Sequence, residues 1–260
     1  MKTVRVTVCE LSDDREGFRR DWDALGAHVR EQQSELVLLP ELPFSPWFAL
    51  QPRFDPERWE AVLQEHAAWC GRLAELAPAA VLSTLPRSLP DGRRLNSGFV
   101  WTQGAGLNFT HTKYYLPDED GFWEASWYGR EEPDFTPFLA GQARVGYLIC
   151  TELWFFEHAR AYGQAGVHLL ANPRATQGST REKWLVAGRA AAVSAGAFCL
   201  SSNHRSPSSS APELGGQGWI VDPDGEVLAL TAPERPFVTL EIDLEQAEAA
   251  KRTYPRYVRE

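Results

Sequence analysis

The sequence predicts a mixed α/β protein, with parallel and antiparallel strands inside and helices outside. Three observations predict it. Short apolar runs alternate along the chain with stretches of helical period. Turn signals at Pro90-Asp91-Gly92 and Asp222-Pro223-Asp224-Gly225 add hairpins to that alternation. Several apolar runs also end abruptly on a polar side chain, as strands do where a sheet meets its loops. At 260 residues and 43% hydrophobic content, the chain can bury a large core, most simply as one domain over residues 1–260.

Residues 2–9 alternate polar and apolar like a first strand, and 15–33 place Phe18, Trp22, Leu25 and Val29 on one helical face. Residues 35–39 read as a buried strand. Asp55-Pro56 supplies an N-cap and a first helical residue for a helix over 56–76. Strands follow at 79–85, 97–103 and 107–112, the first two joined by the Pro-Asp-Gly turn. The stretch 116–141 is polar and aromatic without a clear period. Beyond it come an apolar run at 145–150, a helix near 154–165, a strand at 167–171, a helix at 180–195 and a strand at 197–202. A Ser/Pro/Gly loop over 206–216, a hairpin over 218–230 and a strand at 236–242 complete the chain. No repeat or linker divides it.

A net charge of −9 argues against nucleic acid or an anionic membrane as the main partner. No apolar run approaches the ~20 residues a membrane helix needs. The first residues read as a strand, not as a cleavable signal, so a soluble cytoplasmic protein is expected. Cys9, Cys70, Cys150 and Cys199 lack paired spacing, the histidines lack metal-site spacing, and glycine-rich phosphate loops are absent. No metal and no other cofactor is expected.

Three strand ends carry chemistry. Leu36-Val37-Leu38-Leu39-Pro40 runs into Glu41, His111-Thr112 into Lys113, and Val145-Gly146-Tyr147-Leu148-Ile149 into Cys150. Strand ends are where α/β sheets bind ligands, and a helix N-terminus beside Cys150 would lower its thiol pKa. Taken singly, each has an ordinary reading: a buried small thiol, a loop or capping carboxylate, a solvated lysine. Cys9, Cys70 and Cys199 keep that reading.

In this chain order, Leu39-Pro40-Glu41, Lys113-Tyr114-Tyr115-Leu116-Pro117 and Gly146-Tyr147-Leu148-Ile149-Cys150-Thr151-Glu152 resemble the nitrilase superfamily of carbon–nitrogen hydrolases. The resemblance extends to Trp184, Arg189, Asn203 and the run from Gly218 to Val227. It implies an α-β-β-α sandwich of two mixed sheets flanked by helices. It also implies Cys150 as nucleophile, Glu41 as general base and Lys113 as stabiliser of the tetrahedral intermediate. A second family glutamate matches Glu124 in Glu124-Ala125-Ser126-Trp127-Tyr128-Gly129, which lacks the usual proline before the glycine; Glu119, Glu131 and Glu132 compete for that role.

The substrate expected is a small amide, with a small nitrile as the alternative and a non-catalytic binding protein as a third reading. Cys150-Thr151 lacks the tryptophan typical of nitrilases after the cysteine, and Glu152 replaces the aspartate of many amidases and ureido-hydrolases. Thr151 is expected to offer its N–H to the oxyanion. Tyr114 and Trp127 are candidate walls of an apolar pocket, and Arg174 is a candidate clamp for a substrate carboxylate, against a structurally paired arginine. Two glutamates and a thiolate around one ammonium cannot all ionise, so a shared proton and coupled titration are expected. Trp154, Phe155, Phe156, Ala159 and Tyr162 crowd the helix after Cys150. The resemblance places that helix in a subunit interface, so a homodimer or higher homo-oligomer is expected, with residues 254–260 crossing between subunits.

Overall fold

Two sheets of six strands each lie face to face, and the end of one strand of the first also pairs with the second. The computed structural model describes residues 2–258. In chain order they form β1 (Thr3–Ser12), α1 (Arg15–Gln32), β2 (Leu36–Leu38), α2 (Pro56–Cys70), β3 (Ala80–Ser88), β4 (Arg94–Thr102), β5 (Gly106–Thr112), α3 (Glu124–Trp127) and β6 (Phe138–Ala140). Then come β7 (Ala143–Tyr147), α4 (Phe156–Gln164), β8 (Leu169–Arg174), α5 (Arg181–Ala195), β9 (Phe198–Arg205), β10 (Trp219–Val221), β11 (Val227–Leu230), β12 (Phe237–Asp243) and α6 (Leu244–Ala250). The first sheet runs β12-β1-β2-β3-β4-β5 and the second β6-β7-β8-β9-β10-β11. The C-terminal end of β1 splices them, pairing Glu10 to Asn203 and Ser12 to Arg205 of β9 in parallel.

The period of two sorts the side chains. Val4, Val6 and Val8 of β1, with Leu36, Leu38 and Leu82, face the second sheet and meet Val145, Tyr147, Leu169, Phe198 and Leu200. Their neighbours Cys9, Leu11, Val37, Leu39 and Val81 face outward onto Phe18, Trp22, Leu25 and Val29 of α1. The Tyr147 hydroxyl crosses the sandwich to donate to the backbone carbonyls of Ser83 and Phe99. On the far face, α4 and α5 cover the second sheet. A Cβ at Gly163 would stand 2.5 Å from the Ala195 carbonyl oxygen, so only glycine permits that approach. This is the α-β-β-α sandwich that the sequence motifs imply.

Boundaries differ where local chemistry intervenes. Asp55 accepts from the N–H groups of Glu57 and Arg58, as its N-cap reading requires. The helix expected over 56–76 stops at Cys70 and resumes as one 3-10 turn over Leu73–Leu76. The expected helix near 154–165 is α4, preceded by a 3-10 turn over Cys150–Trp154. α3, β6 and α6 are three to seven residues long, too short to print a period in sequence. No helix among the described residues is long and apolar enough to cross a membrane.

Candidate active site

Glu41 follows β2 where the chain turns sharply. Pro40 accepts from Ser83 Oγ at 2.5 Å. Leu42, at φ +48°, donates its N–H to Thr84 Oγ1 at 2.8 Å. The Glu41 carbonyl oxygen lies 2.6 Å from His204 Nε2. These contacts hold its carboxylate in a fully buried position. Glu41 Oε1 accepts from Asn96 Nδ2 and from Lys113 Nζ, each at 2.7 Å. Glu41 Oε2 is buried and has no hydrogen-bond partner among the described residues.

Lys113 leaves β5 with its N–H on the Asn96 carbonyl at 2.8 Å. Its ammonium donates to Glu41 and to both oxygens of Glu124, at 2.7 and 2.8 Å. Burial alone would lower the Lys113 pKa, but the charges of Glu124, Glu41 and Cys150 carry it well above the ordinary lysine range. Glu124 opens α3 and is buried, unlike the exposed Glu119. Burial, reinforced by Glu41 and opposed by Lys113, raises its carboxyl to about 7.

Cys150 sits at φ +46°, in the left-handed region, directly after the second-sheet core run. Asn172 Nδ2 holds this bend, donating to the carbonyls of Leu148 at 2.6 Å and Cys150 at 3.3 Å. Glu152, two residues on, ties it to the lysine segment. Its Oε2 accepts the Ile149 N–H and lies 2.8 Å from His111 Nε2; its Oε1 accepts the Tyr114 N–H, also at 2.8 Å. Burial would lower the His111 pKa, yet Glu152's charge and hydrogen bond raise it. One buried carboxylate therefore fixes Cys150 relative to Lys113.

No α-helix starts directly after Cys150 to acidify its thiol. Only a 3-10 turn follows Cys150, and burial followed by the charge of Glu41 pushes the thiol up, against the pull of Lys113. With Glu124 raised as well, thiol and carboxyl both lean toward their protonated forms.

Cys150 opens into a cavity of about 100 Å³ lined also by Pro117, Glu119, Phe122, Thr151, Ala175, Thr176, Gln177, Thr180 and Trp184. Four larger hollows, of about 230, 260, 270 and 410 Å³, touch none of the four clustered residues. Of the expected substrate contacts, Thr151 lines the cavity and three do not. Trp127 is buried with its indole N–H on the Gln51 carbonyl and its ring against Phe48 and Phe54, so it is core. Tyr114 sets its ring at right angles to Tyr115, outside the lining. Arg174 is fully buried; it donates to Ser201 Oγ, Thr176 Oγ1 and the carbonyls of Gly216 and Gln217, and lies 4.3 Å from the Trp219 ring centre. It is an internal tie and not a substrate clamp.

Sequence reasoning passed over Asn96, Asn172 and the bridging role of Glu152. A carboxylate or amide beside a strand-end residue was the available signal, because such groups are buried only when hydrogen-bonded.

Fold and cluster together define a class first: a two-sheet α-β-β-α sandwich gathering a thiol, an ammonium and a carboxylate from its strand ends and a second carboxylate from α3. A model of the carbon-nitrogen hydrolase family matches residues 5–252. The chain belongs to that family. Among curated proteins it is similar to omega-amidase NIT2 of Bos taurus, 26% identical over 98% of this chain and 94% of that one. It also resembles the chloroplastic omega-amidase of Arabidopsis thaliana, 28% identical over 96% of this chain and 70% of that one. Among solved structures, a carbon-nitrogen hydrolase from Helicobacter pylori G27 superposes with a TM-score of 0.83 at 20% identity, covering 98% of this chain and 94% of that one. An amidase from Nesterenkonia sp. gives a TM-score of 0.75 at 20% identity, covering 94% and 92%.

Proposed function

We propose that the protein hydrolyses a small amide through a thioester on Cys150. The observation that carries this reading is the unpartnered Glu41 Oε2, buried in the cluster whose Lys113 ammonium ties Glu41 to Glu124. A neutral thiol needs a base, and Glu41 has one acceptor oxygen unspent. Its Oε2 takes the thiol proton as Sγ attacks the amide carbon, forming the C–S bond. Charge moves to the amide oxygen, where Lys113 and the Thr151 N–H stabilise it. The C–N bond breaks as Glu41 passes its proton to the nitrogen, and ammonia leaves. Glu41 then deprotonates a water that attacks the thioester, and collapse returns the thiol and a carboxylic acid. Glu124 keeps Lys113 oriented.

The cavity of about 100 Å³ suits a short acyl group, since drug-sized ligands occupy roughly 300 Å³ or more. The test is ammonia release from a panel of amides, carbamoyl amino acids and nitriles, with mass spectrometry of the intact protein. Amide turnover with an acyl adduct on Cys150 is expected. Turnover of nitriles alone, or an adduct on Cys9, Cys70 or Cys199, overturns the proposal.

We also propose a homodimer through the face of α4 and α5. Trp154 is 40% exposed, Phe156 36% and Val186 61%, an apolar grouping that a solvent face does not favour. Trp154 packs edge-on against Trp184, a wall of the cavity, so dimer contacts would brace the site. The C-terminal part of the expected interface falls partly on residues 259–260, which lie outside the described residues. Phe156→Glu is expected to weaken association and activity together in analytical ultracentrifugation and assay. A fully active wild-type monomer at micromolar concentration overturns it.

A further inference from the structure

The cavity beside Cys150 has a distinct electrical character. Among the described residues, its lining holds one residue with a charged side chain, Glu119. Asp118 and Asp120 flank that residue on the same exposed turn. The turn is rigid: Glu119 and Phe122 exchange backbone hydrogen bonds, Gly121 supplies φ +78°, and Trp47 Nε1 donates to the Gly121 carbonyl at 2.8 Å. Glu119 is therefore carried on a braced turn that lines the cavity.

The rest of the wall suits a cation. Phe122 and Trp184 offer aromatic rings, whose faces attract positive charge. Thr151, Thr180 and Gln177 offer neutral polar groups. The basic side chains nearby are engaged elsewhere. Lys113 is held by two carboxylates behind the thiol, and Arg174 spends four N–H donors on Ser201, Thr176, Gly216 and Gln217. Arg181, one turn before Trp184, donates Nε to the Gly215 carbonyl at 2.6 Å and does not line the cavity.

From this we infer that the site selects amides whose acyl part carries a positive charge, such as an ammonium, and disfavours those carrying a carboxylate, with Glu119 as the specificity-determining residue. This deepens the amidase reading and rests on it. An acyl cation would meet the Glu119 carboxylate and the two rings along the wall while its carbonyl reaches Cys150. A carboxylate in the same place would meet Glu119 as a like charge, and no lining cation would offset the repulsion.

The test compares kcat/KM for β-alaninamide, butyramide and succinamate, which differ chiefly in the charge at the far end. The expected order is cation, neutral, anion. Glu119→Gln, a change at an exposed position, should shrink the cation's advantage over butyramide by roughly twofold to fivefold, the range of one exposed ion pair. A second arm needs no turnover: the rates at which aminoethyl and sulfonatoethyl methanethiosulfonate label Cys150, each divided by its rate with free cysteine. The cationic reagent should be favoured, and less so in Glu119→Gln. Succinamate turned over as well as butyramide, or ratios unmoved by Glu119→Gln, overturns the inference. Charge-selective labelling without ammonia release from any amide would overturn the amidase reading and leave standing only the cavity's preference for cations.

Discussion

Lys113 and Arg174 are both cations with no solvent exposure, and burial acts on both in the same direction. Their outcomes are opposite. Lys113 lies 2.7 Å from each of two carboxylates, which raise its pKa and lock it as an ammonium. Arg174 bonds to hydroxyls and backbone carbonyls, with Trp219 against its face. Burial lowers it to about 9, and the charge of Cys150 only partly opposes that. The difference teaches what a buried cation is for. One surrounded by full opposite charges is poised to meet charge that appears during a reaction. One surrounded by dipoles binds segments together, here β8 to β9 and to the chain at 216–217. A lost partner at either site leaves buried polar groups unsatisfied, yet only the first should register in catalysis.

The comparison can be broken or sharpened by four experiments. The largest effect belongs to the proposed nucleophile: Cys150→Ala should abolish ammonia release while denaturant melts stay close to wild type. Full activity in that variant would remove the chemical side of the comparison altogether. Lys113→Met keeps volume and deletes charge. Loss of one oxyanion donor costs on the order of 10²–10³ in kcat, so turnover should fall by about that factor with KM little changed. A change confined to KM would make Lys113 a binding residue.

Glu124 gives a pH signature. Its folded pKa of about 7 exceeds the ordinary glutamate value of about 4.3, so between the two the folded state holds a proton that the unfolded chain has released. Stability from this group is complete below the unfolded value and is lost as pH rises through 7. Urea melts at pH 5 and pH 8 should therefore show wild type weakening relative to Glu124→Gln by at most about 3 kcal/mol. A gap independent of pH would mean that Glu124 is ionised throughout. The smallest effect is expected at Arg174. Arg174→Met orphans several acceptors but also removes a cation without a partner carboxylate, leaving a net loss of about 2 kcal/mol in denaturant stability. A rise in KM without loss of stability would restore the substrate-clamp reading.

The same contrast explains what was legible in the sequence. Glu41 and Cys150 each end an apolar run and Lys113 ends a strand; it is the resemblance to the nitrilase superfamily, in chain order, that singles the three out together. Glu124 had rivals in a stretch without period; burial separates it from Glu119, and only packing decides burial. Arg174 also ends a strand, where the sequence leaves open both a clamp for substrate and a structurally paired arginine. Which way a long side chain turns from a strand end depends on neighbours such as Ser201 and Gln217, far away in sequence. Trp127 failed for a related reason: in a four-residue helix, nothing in the pattern tells which side is core. The fold was legible through its long elements, while β6, α3 and α6 needed the sheet and loops around them to exist.

The strand shared by both sheets has a consequence for how the chain is made. Thr3 pairs with Asp243, and Glu10 with Asn203, so β1 waits for partners synthesised about 240 and 190 residues later. Until they emerge from the ribosome, Val4, Val6 and Val8 have no second sheet to face and form a sticky ribbon. Pairings this distant in sequence are slow to form, which leaves nascent chains open to aggregation. The strand that joins the finished sandwich thus stays only partly paired for most of the chain's synthesis, with β2 its one early partner.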